Sequence, residues 1–220
     1  MKYIASIDDL HFLIQSSKLS VLAARLTPEQ SNIALKLCLK HAKNGHALYL
    51  SNVLRPEEIN QRIEKFSLVN QGHIEIMYWE PMFTCDFLDK VRSSLNKHSI
   101  IILDLLQYMR PRGRQNFKRS HSKEILKGLK LISEQFNIPV VVLSGMNRRV
   151  ENRKDRRPRV SDLRQMGCAL QYVDLLALLY DDNCYRDLGL PLKEDALELT
   201  VHISKVTPSF LHEERTPFLV

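Results

Sequence analysis

One stretch of the sequence constrains the fold more than any other. Ile100, Ile101, Ile102 and Leu103 run without interruption into Asp104. An apolar run of this kind, with no polar alternation, is typical of a strand that is covered on both faces in a parallel sheet. Ligands of such sheets bind at the carboxyl ends of the strands, so Asp104 is either a ligand for magnesium beside a phosphate or the cap of the next turn.

The composition excludes several classes of protein. The chain has 220 residues, of which 44% are hydrophobic and 26% charged, which predicts one folded domain over residues 1–220. No apolar run approaches the ~20 residues that cross a bilayer, and we expect a cytoplasmic protein with no membrane partner. The four cysteines include no CxxC pair, which argues against a structural zinc site.

Strands and helices alternate along the sequence. Besides the run that ends at Asp104, apolar patterns predict strands at 20–24, 47–50, 74–78, 138–143, 174–180 and 197–203. Helical spacing of apolar residues predicts helices within 6–17, 28–42, 83–95 and 122–136, and another that starts at Pro56. This alternation predicts an α/β fold, with a mostly parallel twisted sheet flanked by helices on both faces.

Two basic segments follow strands of the predicted sheet. The first contains Arg110, Arg112, Arg114, Lys118 and Arg119, and the second contains Arg148, Arg149, Arg153, Lys154, Arg156, Arg157, Arg159 and Arg164. Both segments fall at the carboxyl edge, where they would form a surface for a nucleic-acid backbone, although two solvated loops are the alternative. The aromatic residues there are limited to Tyr108 and Phe117, so we expect backbone contact without recognition of bases.

Several motifs resemble the C-terminal motor domain of the DnaB-type replicative DNA helicases. The resemblance rests on residues 137–144, on the Ser-Asp-Leu-Arg motif that starts at Ser161, and on Gly167. Residues 103–110 resemble that family's Walker B strand, 21–25 the strand that enters its phosphate loop, and 201–205 the strand that carries its arginine finger. The resemblance implies a RecA-like fold, a ring of subunits, ATP with magnesium, and single-stranded DNA as the partner. It also leaves the family's primase-binding domain and linker helix without a counterpart, so we expect a stand-alone motor domain.

The groups that the family uses to hold ATP are partly replaced in this sequence. Gln30 stands where the phosphate-loop lysine belongs, and Glu29 stands where its glycine belongs. The positive charge and the close backbone approach of that loop are therefore lost. Ser31 and Asp104 remain as the pair that would share magnesium if it were bound, and Lys205 matches a lysine of the finger strand.

The groups that the family uses for hydrolysis are replaced as well. The catalytic glutamate falls on Val53, the γ-phosphate sensor on Gly145 and the arginine finger on Thr207. Valine cannot orient or deprotonate water. We therefore expect no catalytic residue, no resident metal and no cofactor, with Gln30, Ser31, Asp104 and Lys205 as remnants of a nucleotide site.

The nucleic-acid side of the motor is better preserved. Arg164, Gln165 and Gly167 match the family's residues that contact the DNA backbone, although Asp162 and Arg164 could instead form a local ion pair. The predicted nucleic-acid-binding residues are Arg112, Arg114, Arg148, Arg149, Arg153, Arg164, Gln165 and Gly167.

Three hypotheses follow from the sequence. The first is a degenerate helicase-like domain that binds nucleic acid or a replication partner without hydrolysing ATP. The second is an active ATP-dependent DNA helicase with an atypical phosphate loop. The third is a non-catalytic protein that pairs with replicative helicase subunits, or with itself in a ring.

Overall fold

The computed structural model describes residues 6–25, 28–66, 73–78, 84–94, 97–108, 119–163, 166–185, 197–203 and 214–217. The helices are α1 (Ile7–Gln15), α2 (Pro28–Ala42), α3 (Pro56–Lys65), α4 (Thr84–Ser94) and α5 (Arg119–Phe136). The strands are β1 (Leu19–Ala24), β2 (His46–Ser51), β3 (His73–Tyr78), β4 (Ile100–Asp104), β5 (Val140–Gly145), β6 (Leu175–Asp181), β7 (Leu197–Ile203) and β8 (Glu214–Pro217).

The eight strands form one sheet in the order β3-β2-β4-β5-β1-β6-β7-β8. The pairs from β3 across to β6 are parallel, and β7 and β8 continue the sheet in antiparallel pairing. This arrangement confirms the α/β fold with a mostly parallel sheet. Strand β8 was not predicted, because its four residues, Glu-Arg-Thr-Pro, carry no apolar pattern.

The core lies on both faces of the sheet. All five residues of β4 are buried, which confirms a strand covered on both sides. Leu22 belongs to the apolar cluster that contains Ile33 of α2, and Val21 belongs to the opposite cluster, which contains Leu129 of α5. Successive residues of one strand therefore pack under helices on opposite faces, as the unbroken apolar runs predicted.

The parallel register brings the carboxyl ends of the central strands together. Ala24 pairs with Gly145, and Ser51 pairs with Asp104. Asp104 and Gly145, two of the positions singled out in the sequence, therefore lie at the same edge of the sheet. In the part of the chain that the structure describes, no helix combines the length and apolar character needed to cross a bilayer.

A chain of polar side chains at the opposite edge joins α1 to α2 and to the residue before β4. His11 Nε2 lies 3.3 Å from His41 Nδ1, and His41 Nε2 lies 2.9 Å from the hydroxyl oxygen of Ser99. Burial, together with the charges of His41 and Lys40, lowers the pKa of His11 to about 4. The folded chain thus keeps His11 neutral at pH values where an unfolded chain would protonate it.

We expect the free energy of unfolding to decrease as the pH falls from 6.5 towards about 4, because the unfolded state binds a proton that the folded state does not. The substitution His11→Leu removes this titration and should reduce the loss over that range by about 1–2 kcal/mol. Urea unfolding at a series of pH values measures the effect, with His73→Leu, at an exposed histidine, as the control. An unchanged pH dependence in His11→Leu would contradict the assignment.

Candidate functional site

The connection between β1 and α2 is too short for a phosphate-binding loop. Strand β1 ends at Ala24 and α2 begins at Pro28, which leaves three residues between them, none of them glycine. The phosphate-loop motif needs four residues between two glycines, followed by lysine, so that backbone N–H groups can surround the phosphates. Leu26 and Thr27 lie outside the described residues, but the length of the connection is fixed by the elements on either side.

Gln30 ties the first turn of α2 to the sheet. Its side chain is 2% exposed, and its Nε2 donates to the carbonyl oxygens of Leu22 at 2.9 Å and Ser144 at 3.0 Å. These two carbonyls belong to the neighbouring strands β1 and β5. The residue that the resemblance aligned with the family's lysine therefore faces back into the protein and satisfies backbone acceptors there.

Asp104 is buried at the end of β4 and accepts two hydroxyl hydrogen bonds on one oxygen. Ser31 Oγ donates to its Oδ2 at 2.9 Å, and the Tyr49 hydroxyl donates to the same atom at 2.8 Å. Asp104 is 2% exposed, and burial raises its pKa, although the two donors oppose that shift. Burial and the nearby Asp104 charge raise the pKa of Tyr49 well above its ordinary value. Ser31, Tyr49 and Asp104, which we call the hydroxyl–carboxylate cluster, thus join α2, β2 and β4.

Sequence reasoning missed Tyr49, although a signal for it was present. A tyrosine in an otherwise apolar buried strand needs a partner for its hydroxyl. Ser51 pairs with Asp104 in the parallel register of β2 and β4. Tyr49 lies two residues before Ser51 and therefore on the same face of the sheet, where its long side chain reaches Asp104.

The cluster does not fit the magnesium and ATP that the resemblance implies. Magnesium requires oxygen ligands at about 2.0–2.1 Å in octahedral geometry. Here Oδ2 of Asp104 already accepts two hydroxyl protons inside the core, and Gln30 supplies no charge to a phosphate. In the described part of the chain, no group of three histidine, cysteine or acidic residues is placed to hold a metal ion.

The other positions at which the resemblance predicts catalytic groups carry residues of different types. Val53, which follows β2, has an apolar side chain that is 45% exposed. Gly145 ends β5, where its N–H donates to Gln107 Oε1 and its carbonyl accepts from Gln107 Nε2, each at 3.0 Å. Lys205 and Thr207 lie outside the described residues. Gln107, which the sequence did not single out, holds the strand end at which the resemblance placed the γ-phosphate sensor.

The basic segment after β5 is fastened by ion pairs. We call residues 147–163 the basic loop. Both Nη atoms of Arg153 bind the carboxylate of Asp162, at 2.8 and 2.6 Å, and Arg157 Nε donates to Glu198 of β7 at 2.7 Å. Although partial burial opposes the shift, Arg153 and the backbone N–H of Arg159 hold the pKa of Asp162 below its ordinary value. Arg153, predicted to contact nucleic acid, therefore uses its guanidinium within the loop.

The remaining predicted contacts divide into three groups. Arg148 and Arg149 are exposed on the short 3₁₀ helix Arg148–Asn152. Gly167 begins the 3₁₀ helix Gly167–Tyr172 with φ 42°, in the left-handed region that glycine adopts without strain. Four predicted contacts lie outside the described residues: Arg112, Arg114, Arg164 and Gln165. In the described residues Asp162 pairs with Arg153. The sequence analysis had considered only Arg164 as its partner.

Two tyrosines outside the basic loop contact its arginines at the carboxyl edge. The ring centroids of Tyr180 and Tyr185 are 5.8 Å apart with an 18° interplanar angle. The guanidinium of Arg157 lies 4.9 Å from the ring centroid of Tyr180, and that of Arg156 lies 5.3 Å from the ring centroid of Tyr185. The sequence expectation that this edge is nearly without aromatic residues is therefore wrong, because the pair comes from the end of β6 and the turn after it.

The substitution Tyr49→Phe should lower the free energy of unfolding at neutral pH by about 1.5–3 kcal/mol, because it removes a hydrogen bond to a buried carboxylate. Urea unfolding measures the change. Tyr78→Phe is the matched control, since Tyr78 is 42% exposed and its hydroxyl can bond to water. Equal stabilities for the two variants would show that the Tyr49 hydroxyl does not stabilise Asp104.

Comparison with known proteins identifies the family to which this chain is similar. The DnaB-like helicase C-terminal domain family matches residues 51–207. The replicative DNA helicase DnaB of Rickettsia felis is 36% identical over 109 residues, which cover 49% of this chain and 22% of that protein. The DnaB of Pasteurella multocida is 39% identical over 89 residues, which cover 40% and 19% respectively. The matched segment thus spans about a fifth of these relatives.

Solved structures show the same fold. One solved ATPase domain has a TM-score of 0.69 at 22% identity, over 91% of this chain and 81% of that one. A DnaB-like replicative helicase, whose structure was solved with its interactions with primase, has a TM-score of 0.70 at 19% identity. The match covers 97% of this chain and 60% of that one. The chain has the RecA-like fold of these ATPase domains, and it belongs to the DnaB-like helicase C-terminal domain family.

Proposed function

We propose that this chain is a replicative-helicase-type domain that binds nucleic acid, with single-stranded DNA as the expected form, and that it does not hydrolyse ATP. The hydroxyl–carboxylate cluster is the observation that carries the proposal. It uses the two side chains that would share magnesium, Ser31 and Asp104, for hydrogen bonds inside the core. We propose no cofactor.

The energetics favour this state over a magnesium site. A hydrogen bond to a charged group contributes about 1.5–3 kcal/mol, and Asp104 would have to release or rearrange two of them. Gln30 would also have to release two strand carbonyls before its side chain could turn outwards. The position before Gln30 carries Glu29, whose partly exposed carboxylate repels a triphosphate.

The nucleic-acid part of the proposal rests on the cations that the basic loop leaves free of acidic partners. Arg148, Arg149, Lys154 and Arg156 are exposed, and none of the ion pairs in the described part of the chain includes them. They lie beyond the carboxyl end of β5, a strand in the middle of the parallel sheet. Four cations without acidic partners on a fastened loop suit a phosphate backbone, whose binding depends on the release of counterions.

We expect no thermal stabilisation of the wild-type chain by millimolar ATP with magnesium. A ligand present at 100 times its Kd would add about 2.7 kcal/mol and raise Tm by several degrees, which differential scanning calorimetry detects readily. Micromolar binding of ATP would contradict the proposal. DNA-stimulated phosphate release that Asp104→Ala abolishes would favour an active ATPase in its place.

The double substitution Arg148→Ala with Arg149→Ala should weaken binding of a single-stranded oligonucleotide. Two lost phosphate contacts should also reduce the slope of log K against log salt by about 1.4. Fluorescence anisotropy over a salt series measures both effects. Lys43→Ala with Lys65→Ala is the matched control, because it removes the same charge from exposed positions just after α2 and at the end of α3, at the opposite edge of the sheet. Equal losses in the two double variants would contradict a site on the basic loop.

A further inference from the structure

An aromatic cleft lies beside the free cations of the basic loop. Its volume is about 290 Å³, including the solvent at its mouth, and Ala24, Val150, Arg156, Asp181 and Tyr185 are among the residues that line it. Because Val150 belongs to the same 3₁₀ helix as Arg148 and Arg149, this cleft directly adjoins the proposed phosphate-binding surface.

Four side chains contact one another in series beside the cleft. Arg157 packs on Tyr180, Tyr180 on Tyr185, and Tyr185 on Arg156. Glu198 holds the first guanidinium of the series, and the carbonyl oxygen of Tyr185 accepts from Arg156 Nη1 at 3.3 Å. Arg156 is exposed, so its guanidinium, which lies over the ring of Tyr185, is also accessible from solvent.

Three charged side chains line the cleft, Asp181, Arg25 and Arg156, and Arg25 is already paired with Glu151 at 2.7 Å. Asp181 lines the cleft and is 8% exposed, and its carboxylate accepts from the backbone N–H of Asn183 at 3.0 Å and from the thiol of Cys184 at 2.9 Å. A buried carboxylate repels phosphate at short range. The guanidinium plane and the tyrosine behind it, in contrast, attract a planar heterocycle, since bases stack on arginine and aromatic side chains.

We propose that the exposed guanidinium of Arg156 stacks with an unpaired nucleobase of a single strand whose neighbouring phosphates lie on Arg148 and Arg149. This inference rests on the proposed nucleic-acid function and adds a contact with the bases to it. The stacking contact requires the plane of the guanidinium and not only its charge. It also tolerates different sequences, because every base has a π-face.

The substitution Arg156→Lys tests the contact because it keeps the charge and removes the plane. The probes are a short single-stranded oligodeoxyadenylate and an abasic strand with the same number of phosphates, compared by fluorescence anisotropy. We expect the wild type to bind the base-bearing strand about tenfold more tightly than the abasic strand. Arg156→Lys should lose most of this preference while its affinity for the abasic strand stays unchanged.

Arg148→Lys is the control, because a phosphate contact survives the exchange of one cation for another, and it should keep the preference. A 2-aminopurine base in the strand supplies a second readout, since its fluorescence is quenched on stacking with the wild type and not with Arg156→Lys. Equal binding of both strands by the wild type overturns the base contact but leaves the proposed function standing, whereas binding of neither strand overturns both. Competition by free adenosine at the concentration of the strand would show that the cleft takes a small nucleoside, and it would overturn the strand proposal.

Discussion

The carboxylate of Asp104 is the point on which the rest of this structure depends. It lies at the end of a strand buried on both faces, and water cannot solvate its charge there, so protein donors must do so. Ser31 and Tyr49 supply hydroxyl groups to a single oxygen, from a helix and from the neighbouring strand. A group that would bind an ion in an open site here stabilises the packing of α2 against β2 and β4. An aspartate at the end of such a strand can therefore stabilise packing when neighbouring hydroxyl groups donate hydrogen bonds to it.

Side chains along the carboxyl edge of the sheet likewise make internal contacts. Gln30 and Gln107 use their amides on the strand ends of β1 and β5, and Arg153 and Arg157 use their guanidinium groups on Asp162 and Glu198. Surface ion pairs contribute little individually, but Asp162 is largely buried, so its pair with Arg153 fixes the path of the basic loop more firmly. The count of 32 lysine and arginine residues therefore overstates the number of cations that are free to meet a polyanion.

Much of this fold could be predicted from the sequence, because unbroken apolar runs and helical spacing reflect burial directly. The strand before Asp104, the start of α2 at Pro28 and the whole of β7 were predicted within a residue or two. Long-range polar contacts could not be predicted from the sequence, because they depend on the register of the strands and on the rotamers of the side chains. Nothing in the segment around Arg156 indicates that it packs on Tyr185, which lies beyond another strand. The four residues of β8 carry no pattern at all, and only pairing with β7 makes them a strand.

A pH titration of the Asp104 carboxyl group by carbon-detected NMR tests the central claim most directly. In the absence of metal the account predicts a pKa above the ordinary value of 3.8, because burial raises it. Millimolar magnesium should leave that pKa unchanged, since Asp104 is buried and two hydroxyl donors already occupy its Oδ2. A pKa that falls when magnesium is added would show that Asp104 still binds a cation, and it would contradict the account.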